Sequence, residues 1–274
     1  MDKENIIIRL KKEGFFIIKN FLNEDDFIII KNYWLNYFEN VPKKEKNYNI
    51  YKTGIVLGDK NYLANSKPNS KESHMFRLVQ YLWNEPQHEL TTDYAIKLHK
   101  IRNMLTNKDE NYGLHYSKDS IAMYLQTNFY PAEHGFFYPH VDGHFNDMMP
   151  RVTFNITFKN IDFDGGGVFL NKNNKLINLD QLIKPTDALI FDGNLKHEVK
   201  KVTSKKNIGR IGVFPIISKL YNYNEIPLYL KKIAHGHNVI KRILGIKKRG
   251  KLPDELKKNC FNFSNFLKNK IIRQ

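Results

Sequence analysis

An α+β fold with an antiparallel jelly-roll core is what the sequence predicts, on three observations. From Ser120 onward the chain breaks into short strand-like runs, near 121–130, 136–143, 151–159, 166–171, 187–192, 196–203 and 209–217, with no helical periodicity between them. The run from Val152 to Phe158 alternates strictly between apolar and polar residues, the period of two that marks a strand with one apolar face. Helical spacing is confined to the segments before Ser120 and after Leu220. Short strands packed this densely close on themselves as a sandwich or jelly roll.

Gly14 to Leu22 reads as a buried strand. Asn23, followed by Glu24, Asp25 and Asp26, has the chemistry of an N-cap with acidic residues in the first helical turn, so a helix is expected to about Phe38. Residues 41–72 are rich in Lys, Asn, Gly, Ser and Pro without sustained period and read as long loops able to cover a site. Helices are expected near 74–84 and 93–106, the second with Tyr94, Ile96, Leu98, Ile101 and Leu105 as its apolar stripe. With no repeat and no low-complexity linker, residues 1–274 are expected to form a single catalytic domain. Within it, 1–119 supply helical support and substrate loops, 120–218 the core, and 219–274 a basic helical extension.

The chain has 274 residues and a formal charge of +16, from 44 Lys+Arg against 28 Asp+Glu. Its 41% hydrophobic content excludes a disordered polyelectrolyte. Residues 225–274 carry thirteen Lys or Arg against three acidic residues, a surplus of ten, which leaves six for the rest of the chain. One cysteine, Cys260, excludes an intrachain disulfide and a thiolate zinc site. With a charged N-terminus and no apolar run long enough to span a bilayer, a cytoplasmic location is expected.

The chemistry concentrates in His140-Val141-Asp142. In an extended strand residues two apart share a face, so one imidazole and one carboxylate can be adjacent ligands of an iron ion. His197, opening a later strand, is placed to complete a facial triad with three positions left open. Thirteen residues on, Arg210 offers a guanidinium suited to a carboxylate, and Gly212 removes bulk on the same face.

In these residues the chain resembles the 2-oxoglutarate/Fe(II)-dependent dioxygenases, in the style of the prolyl 4-hydroxylase-like members. The resemblance covers residues 121–217 in order: Phe129-Tyr130-Pro131, Gly135 to Asp142, Asp164 to Leu170, Lys184 to Phe191, His197 to Thr203, and Arg210. It implies a double-stranded β-helix core, Fe(II) held by His140, Asp142 and His197, and 2-oxoglutarate held through its far carboxylate by Arg210. O2 is the second co-substrate, and hydroxylation of an unactivated carbon the default outcome. Asp142 disfavours the halogenating relatives, which lack that carboxylate.

Three departures from the family pattern leave alternatives open. Collagen-type members anchor 2-oxoglutarate with Lys, so Lys205 and Lys206 compete with Arg210. Gly212 stands where some members have a Ser or Thr, which makes Tyr124, Tyr130 and Thr153 the candidates for a second hydrogen bond to the carboxylate. The family's upstream tyrosine also sits one residue nearer the His-x-Asp run than Tyr130 does. His134, His144 and Arg151 are weaker candidates near the site, Arg151 being read as a solvated residue at a strand end.

The expected substrate is a small or carrier-linked, anionic metabolite. A nucleic-acid demethylase or protein side-chain hydroxylase of the same superfamily is the alternative; the second arginine of the nucleic-acid enzymes is replaced here by Ile216. A non-enzymatic, cupin-like metal-binding jelly roll is the alternative of another class, but its pattern of His-x-His followed by a nearby Glu is not supplied by His140-Val141-Asp142 with Met148-Met149. The basic segment 225–274, with apolar residues between its cations, suits peripheral contact with an anionic membrane.

Overall fold

The computed structural model describes residues 2–44, 61–65, 71–82, 84–114, 121–142 and 150–219, all within one compact unit. The expected helical extension 219–274 lies almost wholly outside these residues, as do His144 and much of the expected loops. Among the described residues no helix is long and apolar enough to cross a membrane.

Helix α1 (Lys3–Glu13) opens the chain, its Asp2 cap accepting from the Glu4 and Asn5 amides. Strand β1 (Phe15–Ile18) leads into helix α2 (Glu24–Lys44). As the sequence predicts, Asn23 Oδ1 caps α2, accepting from the backbone of Asp25 and Asp26. Strands β2 (Tyr62–Asn65), β3 (Ser73–His74) and β4 (Phe76–Tyr81) precede helix α3 (Glu89–Leu105). The core strands follow: β5 (Ile121–Tyr130), β6 (Phe136–His140), β7 (Arg151–Asn155), β8 (Gly165–Lys172), β9 (Lys175–Asn178), β10 (Ala188–Phe191), β11 (His197–Thr203) and β12 (Arg210–Lys219).

They form two sheets, β1-β10-β7-β12-β5-β4-β2 and β3-β6-β11-β8-β9, with every pairing antiparallel. Apart from the β8–β9 hairpin, successive core strands pass from one sheet to the other, which is the jelly roll the strand spacing predicted. Helix α3 packs on β7 and β12 of the larger sheet. There the apolar side of the Val152–Phe158 alternation meets the helical layer: Phe154 against Phe21, Phe158 edge-on to Phe27. Its polar side, Arg151, Thr153 and Asn155, is also buried and is turned toward polar partners described below.

Three expectations are corrected. Residues 74–84 are not a helix, because β3 and β4 occupy them. Met75, Leu78, Val79 and Leu82 fall at i, i+3, i+4 and i+7, which imitates a helical stripe. The true cause of the apolar run is burial on both faces, Leu78 in the main core and Val79 and Tyr81 in a second cluster. Strand β2 lies within the stretch read as loops, and β9 was not anticipated.

Candidate metal centre

His140, Asp142 and His197 meet at one point. His140 ends β6 and His197 begins β11, and the two are direct cross-strand partners with ring centroids 4.3 Å apart. Asp142 lies two residues past His140, its backbone amide donating to Gly193 O in the turn that precedes His197. Asp142 Oδ1 is 3.7 Å from His140 Nε2, and Oδ2 is 3.4 Å from His197 Nε2. All three ligand atoms lie within 4.8 Å of one another.

Both imidazoles are oriented by the backbone. His140 Nδ1 is 2.7 Å from Tyr138 O and His197 Nδ1 is 2.9 Å from Leu195 O, so each Nδ1–H donates to a carbonyl and each Nε2 lone pair faces the third ligand. Phe137 stacks 4.0 Å from His140, and Phe191 stands edge-on to His197 at 5.2 Å, walling the pair with apolar surface. Burial, then the neighbouring His197, lowers the affinity of His140 for a proton. Burial would raise the Asp142 carboxyl, but contact with His197 and the positive potential of Arg151 outweigh it and hold the group ionised far below the usual carboxylate range. Two imidazoles and one carboxylate are the donor set of a non-haem iron site, and the three residues fit Fe(II).

Arg151 departs from its sequence reading. It is buried, not solvated, and its Nε donates to Asp142 Oδ2 at 2.7 Å. His134 is exposed and stacks on His74, away from the three ligands.

Arg210 is completely buried at the start of β12. Its Nε donates to Asp180 Oδ2 at 2.6 Å, and Nη2 donates to Asp180 Oδ1 and Asn155 Oδ1, each at 3.0 Å. Among the described residues Nη1 is a buried donor with no partner. A Cβ added at Gly212 would lie 3.0 Å from Nη1, so the missing side chain leaves this nitrogen its space. An orphaned guanidinium nitrogen beside a glycine fits a carboxylate acceptor such as the far end of 2-oxoglutarate. Lys205 and Lys206, in contrast, are exposed, and the Lys206 ammonium donates to Ile161 O.

The three candidates for a second hydrogen bond are separated. Tyr130 pairs directly with Arg210 across β5 and β12, and its ring centroid is 5.8 Å from the guanidinium carbon. Burial raises its phenol, against the lowering influence of Arg210 and Arg77, so Tyr130 stays a neutral donor. Tyr124 lies six residues along β5, opposite Ile216, in the second apolar cluster with Tyr81. Thr153 spends its one hydroxyl proton on Val213 O at 2.8 Å. Of the three, Tyr130 is the one the structure places beside Arg210.

Asp180 and Asn155 were not anticipated. Asp180 sits in a single helical turn, Leu179–Gln181, with no motif around it, and it also accepts from Val168 N at 2.9 Å. Asn155 lay on the polar side of the alternating strand, the one signal that pointed to it.

No model of a protein family matches the chain, and no curated protein sequence matches it. Solved structures do. A prolyl-4-hydroxylase from Pseudomonas putida superposes with a TM-score of 0.51 at 14% identity, over 80% of this chain and 100% of that one. A Trichoplax adhaerens prolyl hydroxylase, solved with a hypoxia inducible factor peptide fragment, gives 0.48 at 14% identity over 82% and 92%. An oxidoreductase of the 2OG-Fe(II) oxygenase family from Burkholderia pseudomallei gives 0.43 at 11% identity over 80% and 91%. With its two interleaved antiparallel sheets and this superposition, the chain has the double-stranded β-helix fold of the P. putida prolyl-4-hydroxylase.

Proposed function

We propose that the chain is an Fe(II)- and 2-oxoglutarate-dependent dioxygenase that hydroxylates an unactivated C–H of a small or carrier-linked, anionic metabolite in the cytoplasm. The observation that carries this reading is the convergence of His140, Asp142 and His197 with their ligand atoms within 4.8 Å of one another. Such a centre supplies the coupled conversion of C–H, O2 and 2-oxoglutarate into C–OH, succinate and CO2.

The chain's own residues have four tasks. Tyr138 O and Leu195 O fix the Nδ1–H tautomer of each imidazole, which keeps both Nε2 lone pairs available to the metal. Arg151 holds Oδ2 of Asp142 and so orients the carboxylate that would bind the metal. Phe137 and Phe191 pack against His140 and His197 and limit the freedom of the two rings. Arg210 offers Nη1 to the far carboxylate of 2-oxoglutarate, with Tyr130 as second donor. The cationic surplus of the chain supports an anionic substrate. Membrane contact by 225–274 rests on its cations and the apolar residues between them, and flotation with anionic vesicles tests it.

Succinate production from 2-oxoglutarate with added Fe(II), in the absence of a prime substrate, tests the reaction class. Turnover in the wild type that vanishes in Asp142→Ala is expected; equal turnover in both would refute the assignment.

A further inference from the structure

Arg210 is an unusual anchor, because its charge is already taken. Nε–H points to one oxygen of Asp180, and the two protons of Nη2 to the other oxygen and to Asn155 Oδ1. Asn155 Nδ2 closes the triangle by donating to Asp180 Oδ1 at 2.8 Å. Asp180 is in turn fixed by Val168 N, and Gly167, at φ +94°, lets it approach: a Cβ there would lie 2.4 Å from Asp180 Oδ2. Both members of the pair are sealed from solvent, with side chains 0% and 1% exposed. Low local dielectric makes the attraction strong and leaves the pair with no net charge.

Resting on the dioxygenase reading, we propose that Asp180 is a positioning residue that sets how the co-substrate is held. It occupies the Nε/Nη2 edge of Arg210, so the nitrogen left for a 2-oxo acid is Nη1, beside Gly212. A dicarboxylate is therefore bound by one edge nitrogen of a neutralised guanidinium, not by the paired fork of a free cation. Asp180 lowers the chain's affinity for the distal carboxylate and weakens its discrimination against 2-oxo acids that lack one. Replacing Asp180 with the isosteric Asn leaves a buried cation without its counter-ion, a deficit that a dicarboxylate relieves on binding.

Anaerobic calorimetry of the Fe(II)-loaded chain with 2-oxoglutarate and with 2-oxopentanoate, which has the same length but no distal carboxylate, tests the assignment. Asp180→Asn is expected to bind 2-oxoglutarate about tenfold more tightly than wild type, the scale of one added charge-assisted hydrogen bond, with 2-oxopentanoate unchanged. Unchanged or weaker 2-oxoglutarate binding, or an equal change for both acids, overturns the role of Asp180. If Asp180→Asn does not fold, Gly212→Ala carries the test, since its methyl crowds Nη1 most closely and keeps the Asp180 carboxylate in the chain. About tenfold weaker binding of 2-oxoglutarate alone is then expected, and equal weakening of both acids overturns the proposal. A wild type that binds iron but not 2-oxoglutarate overturns the dioxygenase reading itself, and this inference with it.

Discussion

Arg151 Nε lies 2.7 Å from Asp142 Oδ2, on the side of the carboxylate that also faces His197. Partners that orient a metal-binding carboxylate typically carry about 10–100-fold in metal affinity or activity. Arg151→Leu is therefore expected to weaken Fe(II) binding by about that factor, and Arg151→Lys by less, because it keeps a cation without the fixed N–H direction. Repulsion between the guanidinium and the ion acts in the opposite sense. Tighter metal binding in Arg151→Leu, read by titration with Fe(II), would show that repulsion outweighs orientation.

Tyr124 and Tyr130 share strand β5 but face different neighbours, Ile216 and Arg210 respectively. Tyr130→Phe is expected to weaken 2-oxoglutarate binding by up to about tenfold, the value of one hydrogen bond, and Tyr124→Phe to leave it unchanged. Calorimetry of the two variants side by side decides between them, and the reverse ranking would move the anchor away from β12.

Gly167 combines φ +94° with the close approach of Asp180. Gly167→Ala is expected to lose on the order of 3 kcal/mol of stability in chemical denaturation, from backbone strain together with displacement of a buried ion-pair partner. A loss below about 1 kcal/mol would mean that Asp180 tolerates relocation, which would weaken its assigned role at Arg210.

His99 supplies a pH test remote from the metal. It is fully buried in α3, its Nε2–H donates to Tyr112 O at 2.7 Å, and Nδ1 has no partner. Burial dominates and pushes its pKa down to about 3, against 6.5 for an ordinary histidine. The folded chain thus refuses a proton that the unfolded chain accepts, so His99 costs nothing above pH 6.5 and loses stability steadily as pH falls toward 3. One such proton is worth about 1.4 kcal/mol per pH unit in that window. His99→Gln is expected to flatten the stability profile between these limits, as measured by denaturant midpoint against pH. An unchanged slope would show that His99 is not the group responsible.

Most of the core was legible because its signals are local. The alternation from Val152, the Asn23 cap and the His-x-Asp spacing each depend on residues within a few positions of one another, and each appears in the structure, although the strand ends at Asn155 rather than running to Lys159. The β4 strand was not legible, since burial on both faces erased its period and left a spacing that a helix would also show. Arg151 was misread for a related reason: strand ends are commonly solvated, and only the return of the chain to Asp142 buries this one. Asp180 had no local signature at all. Its partner is thirty residues away, and the pairing exists only because the two sheets close over each other.

The central claim is that His140, Asp142 and His197 hold Fe(II) with positions left open for a 2-oxo acid. Anaerobic titration of the Fe(II)-loaded chain with 2-oxoglutarate, followed by visible absorption, tests it most directly. A charge-transfer band that saturates with one 2-oxoglutarate per iron, and is absent from His140→Ala and Asp142→Ala, is the predicted result. Iron bound in the wild type with no such band, or a band of equal strength in the two variants, would contradict it.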